Sequence, residues 1–240
     1  LSGGVIIVPM LHFLFMTQAF PLNMLMQLAV TTSLATIIVT SLSATYMHDK
    51  KGSVLWAPVR RIAPGLLIGA SLGALLADFV SSGVLRIVFG LFEILVGIQM
   101  WLNFKPRAHL ALPGTLGLVS SGIGIGLLST LMGIGGGTLT VPFLLWCNIN
   151  MRNAVAVSSA CGFPIAVAAT IALVIVGWNE EAIPAHSLGY LYWPAAIIIS
   201  AMTILFAPLG ARLAHYLPIV ILKRIFSVLL VMIGTQMLVS

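Results

Sequence analysis

Apolar residues run through this chain in long blocks separated by short polar punctuation. Residues 24–46, 62–80, 85–104, 112–132, 153–178 and 191–208 each read as a helix able to cross a bilayer, whose core takes about 20 apolar residues, and 225–239 completes a last span. Residues 5–17 and 138–146 are apolar but too short to cross alone. Pro21 and Asn23 mark a turn, 48–61 a polar loop, 179–181 the start of an acidic loop, and 212–224 a basic stretch. The span 24–46 carries an unusual polar run: Thr31, Thr32, Ser33, Thr36, Thr40, Ser41 and Ser43. Gly65, Gly69 and Gly73, four residues apart, predict a face for close helix packing.

The apolar segment ending at Met132 is interrupted by Gly133-Ile134-Gly135-Gly136-Gly137. Each glycine costs about 1 kcal/mol against alanine in a helix interior. In lipid a broken helix is tolerated only where protein or a cavity takes up the freed backbone groups. The break predicts a fresh half-helix from Thr138 to Trp146, whose unpaired N–H groups and positive dipole end favour an anion. The same words open the chain. Ser2-Gly3-Gly4-Val5-Ile6-Ile7-Val8-Pro9-Met10-Leu11 aligns with residues 135–144, keeping Gly-Gly, Val-Pro and Leu. Broken helices at matching places in two halves point to a transporter's substrate site; a close helix contact made by small residues is the alternative.

The repeat extends beyond the glycines. Ala29-Val30-Thr31-Thr32 matches Ala156-Val157-Ser158-Ser159, Arg86-Ile87-Val88-Phe89 matches Lys223-Arg224-Ile225-Phe226, and Gly97-Ile98-Gln99-Met100 matches Gly234-Thr235-Gln236-Met237. The expected organisation is a first transmembrane repeat over 1–104, a basic linker over 105–111 and a second repeat over 112–240. The second motif is preceded by an apolar segment that has no counterpart before Leu1, so the first repeat is expected to lack its N-terminal part.

Composition makes the membrane reading firm. Of 240 residues, 60% are hydrophobic and 7% charged, with mean hydropathy +1.15, whereas charged residues make up about a quarter of a soluble domain. The net charge of +6 is spread over scattered lysines and arginines, which argues against a nucleic-acid partner. Orientation follows from the same residues. If every segment crosses fully, Lys50, Lys51, Arg60, Arg61, Lys105 and Arg107 face Arg86, Arg152, Arg212, Lys223 and Arg224, with no bias. If each glycine segment is a V-shaped hairpin returning to its own side, ten of the eleven share one face and only Arg86 is opposite. The positive-inside rule selects the second arrangement. The predicted fold is therefore an all-α polytopic membrane protein of two inverted four-segment repeats, each opening with a glycine-broken hairpin, the two tips meeting near the midplane.

The two glycine and Val-Pro motifs, with Thr32-Ser33-Leu34-Ala35-Thr36, Thr40-Ser41-Leu42-Ser43-Ala44 and the loop Tyr46-Met47-His48-Asp49-Lys50-Lys51-Gly52, resemble the sulfite exporter TauE/SafE family over essentially the whole chain. The resemblance implies eight membrane segments in two repeats, and secondary transport, as an exporter working by alternating access, of sulfite or an organosulfonate across the plasma or inner membrane. Ser2 departs from the pattern, standing where the second copy has Gly135; it either reshapes one side of the site or adds a hydroxyl donor.

The residues suit such a substrate on chemical grounds. An oxyanion taken into the membrane needs its hydration replaced, and backbone N–H groups with Ser and Thr hydroxyls do this without a fixed cation. The expected substrate-binding residues are Ser2, Gly3, Gly4, Thr31, Thr32, Ser33, Gly135, Gly136, Gly137, Thr138, Ser158 and Ser159. The competing role for the hydroxyls is a bond to their own helix. Gln99 and Gln236 are interhelical glue or pathway residues. Glu93, the one acid deep in a span, is a proton-carrier candidate by default, with Leu230 at the equivalent place. Arg86 and Lys223 either draw anions in or snorkel. No metal, cofactor or catalytic residue is expected; a lipid bilayer and a small anion are the expected partners, and a homodimer is compatible with the sequence. Alternatives are another small-anion carrier or channel, a membrane thiol-redox protein using Cys147 and Cys161, and a serine hydrolase. The thiol reading wants cysteines in both halves, the hydrolase a histidine beside Ser158 or Ser159.

Overall fold

The computed structural model describes residues 3–102, 112–180, 183–216 and 219–239. Ser2, Lys105, Arg107, Glu181 and the 105–111 linker lie outside the described residues. The described chain is almost wholly helical: α1 (Gly4–Thr17), α2 (Leu25–Lys50), α3 (Trp56–Phe79), α4 (Ser82–Trp101), α5 (Thr115–Leu131), α6 (Gly137–Trp146), α7 (Met151–Val176), α8 (Trp193–Tyr216) and α9 (Ile219–Val239). The expected spans are all present as helices. The expected polar loop at 48–61 is shorter, because α2 runs to Lys50 and α3 starts at Trp56. A small antiparallel hairpin, β1 (Ser187–Leu188) with β2 (Leu191–Tyr192), follows α7 and was not expected from the pattern.

Packing places α2 and α7 side by side at the centre. The short helix α1 lies on α2, and α6 lies on α7. Likewise α3 packs on α7 and α8 on α2, while α4 packs against α9. In the element pairing expected from the sequence, α2–α7 and α4–α9 join corresponding helices, α1–α2 is the counterpart of α6–α7, and α3–α7 that of α2–α8.

Small residues permit the close approaches. A Cβ on Gly65 or Gly69 would collide with the carbonyl oxygen of Val119 or Ile123, and one on Gly73 would come 2.7 Å from that of Leu127. The glycine stripe of α3 is therefore a packing face, against α5. On the α4–α9 pair the relation is reciprocal: a Cβ on Gly90 would lie 2.9 Å from the carbonyl oxygen of Gly234, and one on Gly234 2.8 Å from that of Gly90. Two turns away Ser227 Oγ donates to the Gly97 carbonyl at 2.7 Å.

Helix ends are closed by the chain itself. Ser82 Oγ accepts from the Met26 N–H at 3.0 Å, covering a free donor at the start of α2. Gln27 Nε2 donates to the Ala77 and Val80 carbonyls at the end of α3. At the end of α2, Gly52 N–H donates to Asp49 and Ser53 N–H to His48, with Gly52 left-handed (φ +61). That is the paired bonding of a Schellman ending, and it accounts for glycine in the Tyr46–Gly52 loop. Lys50 Nζ sits 4.6 Å from the centre of the Tyr46 ring, and Trp56 Nε1 donates to Asp49 Oδ1 at 2.8 Å.

The outer faces are apolar. Leu72, Leu75 and Phe79 on α3, Leu91 and Leu95 on α4, and Ile197 and Ile198 on α8 are all exposed. Continuous apolar faces of this extent mark contact with lipid rather than water. α2, α3, α4 and α7 are long and apolar enough to cross a membrane.

Candidate functional site: two uncapped helix starts at one cavity

The second glycine break begins one residue group earlier than the triple glycine suggests. α5 ends at Leu131 through a Schellman pair, Gly133 N–H to Thr130 and Ile134 N–H to Ser129, with Gly133 left-handed (φ +59). Glycine is favoured there for lack of a Cβ clash. Gly137 opens α6, and Gly136 before it is right-handed (φ −49, ψ −12). Gly3 stands in the same place before α1, also right-handed (φ −55, ψ −27). Thus the two short helices start at matching residues of the repeat. Each carries an internal proline, Pro9 and Pro142, and each ends in a left-handed residue, Ala19 and Asn148.

The breaks touch. A Cβ on Gly4 would collide with the Gly133 carbonyl oxygen and come 2.9 Å from Ile134 Cα. Ser33 Oγ donates to the same Gly133 carbonyl at 2.9 Å.

Beside this contact lies a cavity of about 240 Å³. Its polar wall consists of Gly3, Gly135, Gly136 and Gly137 from the breaks, Ser158 and Ser159 from α7, and Thr40 and Ser41 from α2. Its apolar wall includes Ile37, Val141 and Val155. Neither Gly3 nor Gly136 provides a side-chain cap, so among the described residues the first N–H groups of α1 and α6 have no N-cap side chain as acceptor. Thr140, fully buried, has an unpartnered Oγ1 that lies 3.0 Å from where a Cβ on Gly136 would sit. Thr138 Oγ1 is likewise buried and unpartnered.

Of the residues expected at the site, Gly3, Gly135, Gly136, Gly137, Ser158 and Ser159 come together here. Gly4 does not line the cavity; it is buried in the contact between breaks. Thr31, Thr32 and Ser33 are also elsewhere. Thr31 Oγ1 donates to Gln27 of its own helix at 2.7 Å, Thr32 Oγ1 accepts from the Tyr192 N–H at 3.2 Å, and Ser33 holds Gly133. Thr40 and Ser41 take their place. Their signal was present in the polar run of α2, but the repeat alignment drew attention to Thr31 and Thr32. Thr40, Ser41 and Ser159 direct their hydroxyl protons to carbonyls of their own helices, at 3.3, 3.2 and 3.0 Å.

The remaining candidates are away from the cavity. Glu93 is fully buried with both carboxyl oxygens unpartnered, and Leu230 at its equivalent place is equally buried. Arg86 is half-buried with an unpartnered Nε, and interacts electrostatically with His12. Gln99 is half-buried, whereas Gln236 is exposed, so the two equivalent glutamines have different surroundings. Lys223 is half-buried on α9. Cys147 and Cys161 are buried free thiols outside the cavity lining. Among the described residues no cluster of His, Cys, Asp and Glu is arranged to hold a metal.

Comparison with known proteins agrees with the motifs. The chain is 32% identical over 238 residues to a probable membrane transporter protein of Haemophilus influenzae, covering 99% of this chain and 90% of the relative. It is 28% identical over 260 residues to the probable membrane transporter protein YunE of Bacillus subtilis, covering 99% and 90%. With the probable inner membrane transporter protein TsaS of Comamonas testosteroni it shares 25% identity over 203 residues, 84% of this chain and 80% of the relative. No solved structure matches. The profile of the sulfite exporter TauE/SafE family matches residues 1–237, and with its glycine breaks, lipid-facing helices and transporter relatives the chain belongs to that family.

Proposed function

We propose that this protein is a multi-pass secondary carrier of the plasma or inner membrane that moves a small sulfur oxyanion, sulfite or an organosulfonate, outward by alternating access. Residues 1–104 and 112–240 act as two inverted repeats joined by 105–111, with α1 and α6 as the returning arms of V-shaped hairpins. The family and the names of its relatives support transport. One observation carries the choice of site: the uncapped starts of α1 and α6 border the same cavity, with Ser158 beside them.

The mechanism follows from that arrangement. Two helix starts present N–H groups and positive dipole ends to one volume, each contributing about 0.3–2 kcal/mol to holding an anion. Hydroxyls of Thr40, Ser41, Ser158 and Ser159 complete the shell by rotating away from their helix carbonyls when the ligand arrives. Neutral donors hold an anion less tightly than a buried cation would, which suits a carrier that must release its load. Because α1 belongs to one repeat and α6 to the other, rocking of the repeats about α2 and α7 opens the cavity to one side at a time. Efflux of sulfite and of methanesulfonate from proteoliposomes containing the purified protein tests this reading. Accumulation outside at rates well above those of empty liposomes is the expected result; equal rates contradict it.

A further inference from the structure

We infer that the cavity between the starts of α1 and α6 selects by charge, taking singly charged sulfur anions with a short apolar substituent and rejecting dianions. This inference rests on the site proposed above.

No Lys, Arg or His stands among the described residues lining the cavity. Arg152 begins the same helix as Ser158 and lies one turn before the lining residue Val155. It is committed elsewhere: Nε donates to Ser53 Oγ at 2.9 Å and an Nη donates to the Lys51 carbonyl at 3.3 Å. What remains for an anion is backbone N–H, hydroxyls and helix dipoles. Beside that lining, two more hydroxyls have no partner among the described residues. Thr140 Oγ1 is fully enclosed at the Gly136 side of the cavity, and Thr138 Oγ1 is buried two residues before it. Buried polar groups are normally hydrogen-bonded, so these two have capacity for a ligand oxygen.

Desolvation of an ion grows with the square of its charge, so a dianion loses about four times what a monoanion loses. The interaction returned by fixed dipoles grows only in proportion to charge, about twofold. A site built of neutral donors therefore balances a single charge far better than two. The cavity's other wall points the same way, since Ile37, Ala44, Val141 and Val155 offer a carbon substituent apolar contact that a fourth oxygen would not gain.

The test is a charge series at nearly constant shape: dimethyl sulfone, methanesulfonate and sulfate, titrated by calorimetry into detergent-purified wild-type protein at one pH and ionic strength. Methanesulfonate should bind, with both the neutral sulfone and sulfate at least about tenfold weaker. Sulfate binding as tightly as methanesulfonate, or more tightly, overturns charge selection. Loss of both anions in Gly136→Val would then leave the site itself in place. If Gly136→Val binds methanesulfonate with wild-type affinity, the site reading fails and this inference fails with it. Ser159→Lys, which adds a cation to the wall, should narrow the gap between sulfate and methanesulfonate; an unchanged ratio in that folded variant counts against the inference.

Discussion

Gly4, the first residue of α1, lies with its Cα face against the carbonyl of Gly133, the residue that ends α5. The two glycine breaks of the sequence thus meet directly, although 129 residues separate these two positions. Gly4 is needed for that contact, because any side chain there strikes backbone.

Gly4→Ala should therefore destabilise the protein by about 1–3 kcal/mol or more, the usual range for overpacking. Gly3→Ala should be nearly neutral for stability, since its Cβ would meet only the end of Ile7 at 3.4 Å. Thermal unfolding of the two variants in the same detergent checks the difference. Equal melting temperatures would mean that the breaks are not in contact.

The α4–α9 crossing gives a second test. Ser227→Ala removes the donor to the Gly97 carbonyl, and both groups are buried. A loss of about 0.5–1.5 kcal/mol is expected for the missing hydrogen bond. Gly234→Ala forces a Cβ to 2.8 Å from the Gly90 carbonyl and should cost at least as much. Neither change lies near the cavity, so anion affinity of the folded fraction should stay at the wild-type value; a matching drop in affinity would tie this crossing to the site.

Topology is tested by labelling. Lys51 is exposed at the end of α2 and Leu188 is exposed on the hairpin after α7. Single cysteines at Lys51 and Leu188, in a Cys147→Ala and Cys161→Ala background, should react with an impermeant reagent from opposite faces, Lys51 from the cytoplasm. Reaction of both from one face would exclude the inverted arrangement.

Much of the fold is legible in the sequence because lipid demands long apolar runs, and breaks in them are few and conspicuous. The starts of α1 and α6 fall at Gly4 and Gly137, one residue before the Val5 and Thr138 that the paired motifs suggest. The end of α5 was harder to read. Three adjacent glycines mask Gly133, whose left-handed φ ends the helix before them. Thr31, Thr32 and Ser33 illustrate a different difficulty. Thr31 and Thr32 align in sequence with Ser158 and Ser159, yet α7's serines share a cavity with Thr40 and Ser41, about two and a half turns further along α2. Equivalent positions on two packed helices face one another only where the axis relating them crosses the contact, and sequence alone does not say where that is. Hydroxyls also look alike in sequence whether they bond a carbonyl of their own helix, as Thr31 does, or remain unpartnered, as Thr140 does.

The most direct measurement is methanesulfonate affinity by calorimetry on wild-type, Gly136→Val and Ser158→Ala proteins, each confirmed monodisperse. A side chain at Gly136 would meet Thr140 Oγ1 at 3.0 Å and Ile165 Cδ1 at 3.2 Å, both side-chain atoms able to shift, so the variant should fold while losing space beside the first N–H groups of α6. Gly136→Val should abolish binding, and Ser158→Ala should weaken it about tenfold, the loss of a hydrogen bond to a charged group. Wild-type affinity in both folded variants would contradict the claim that the anion sits between the starts of α1 and α6.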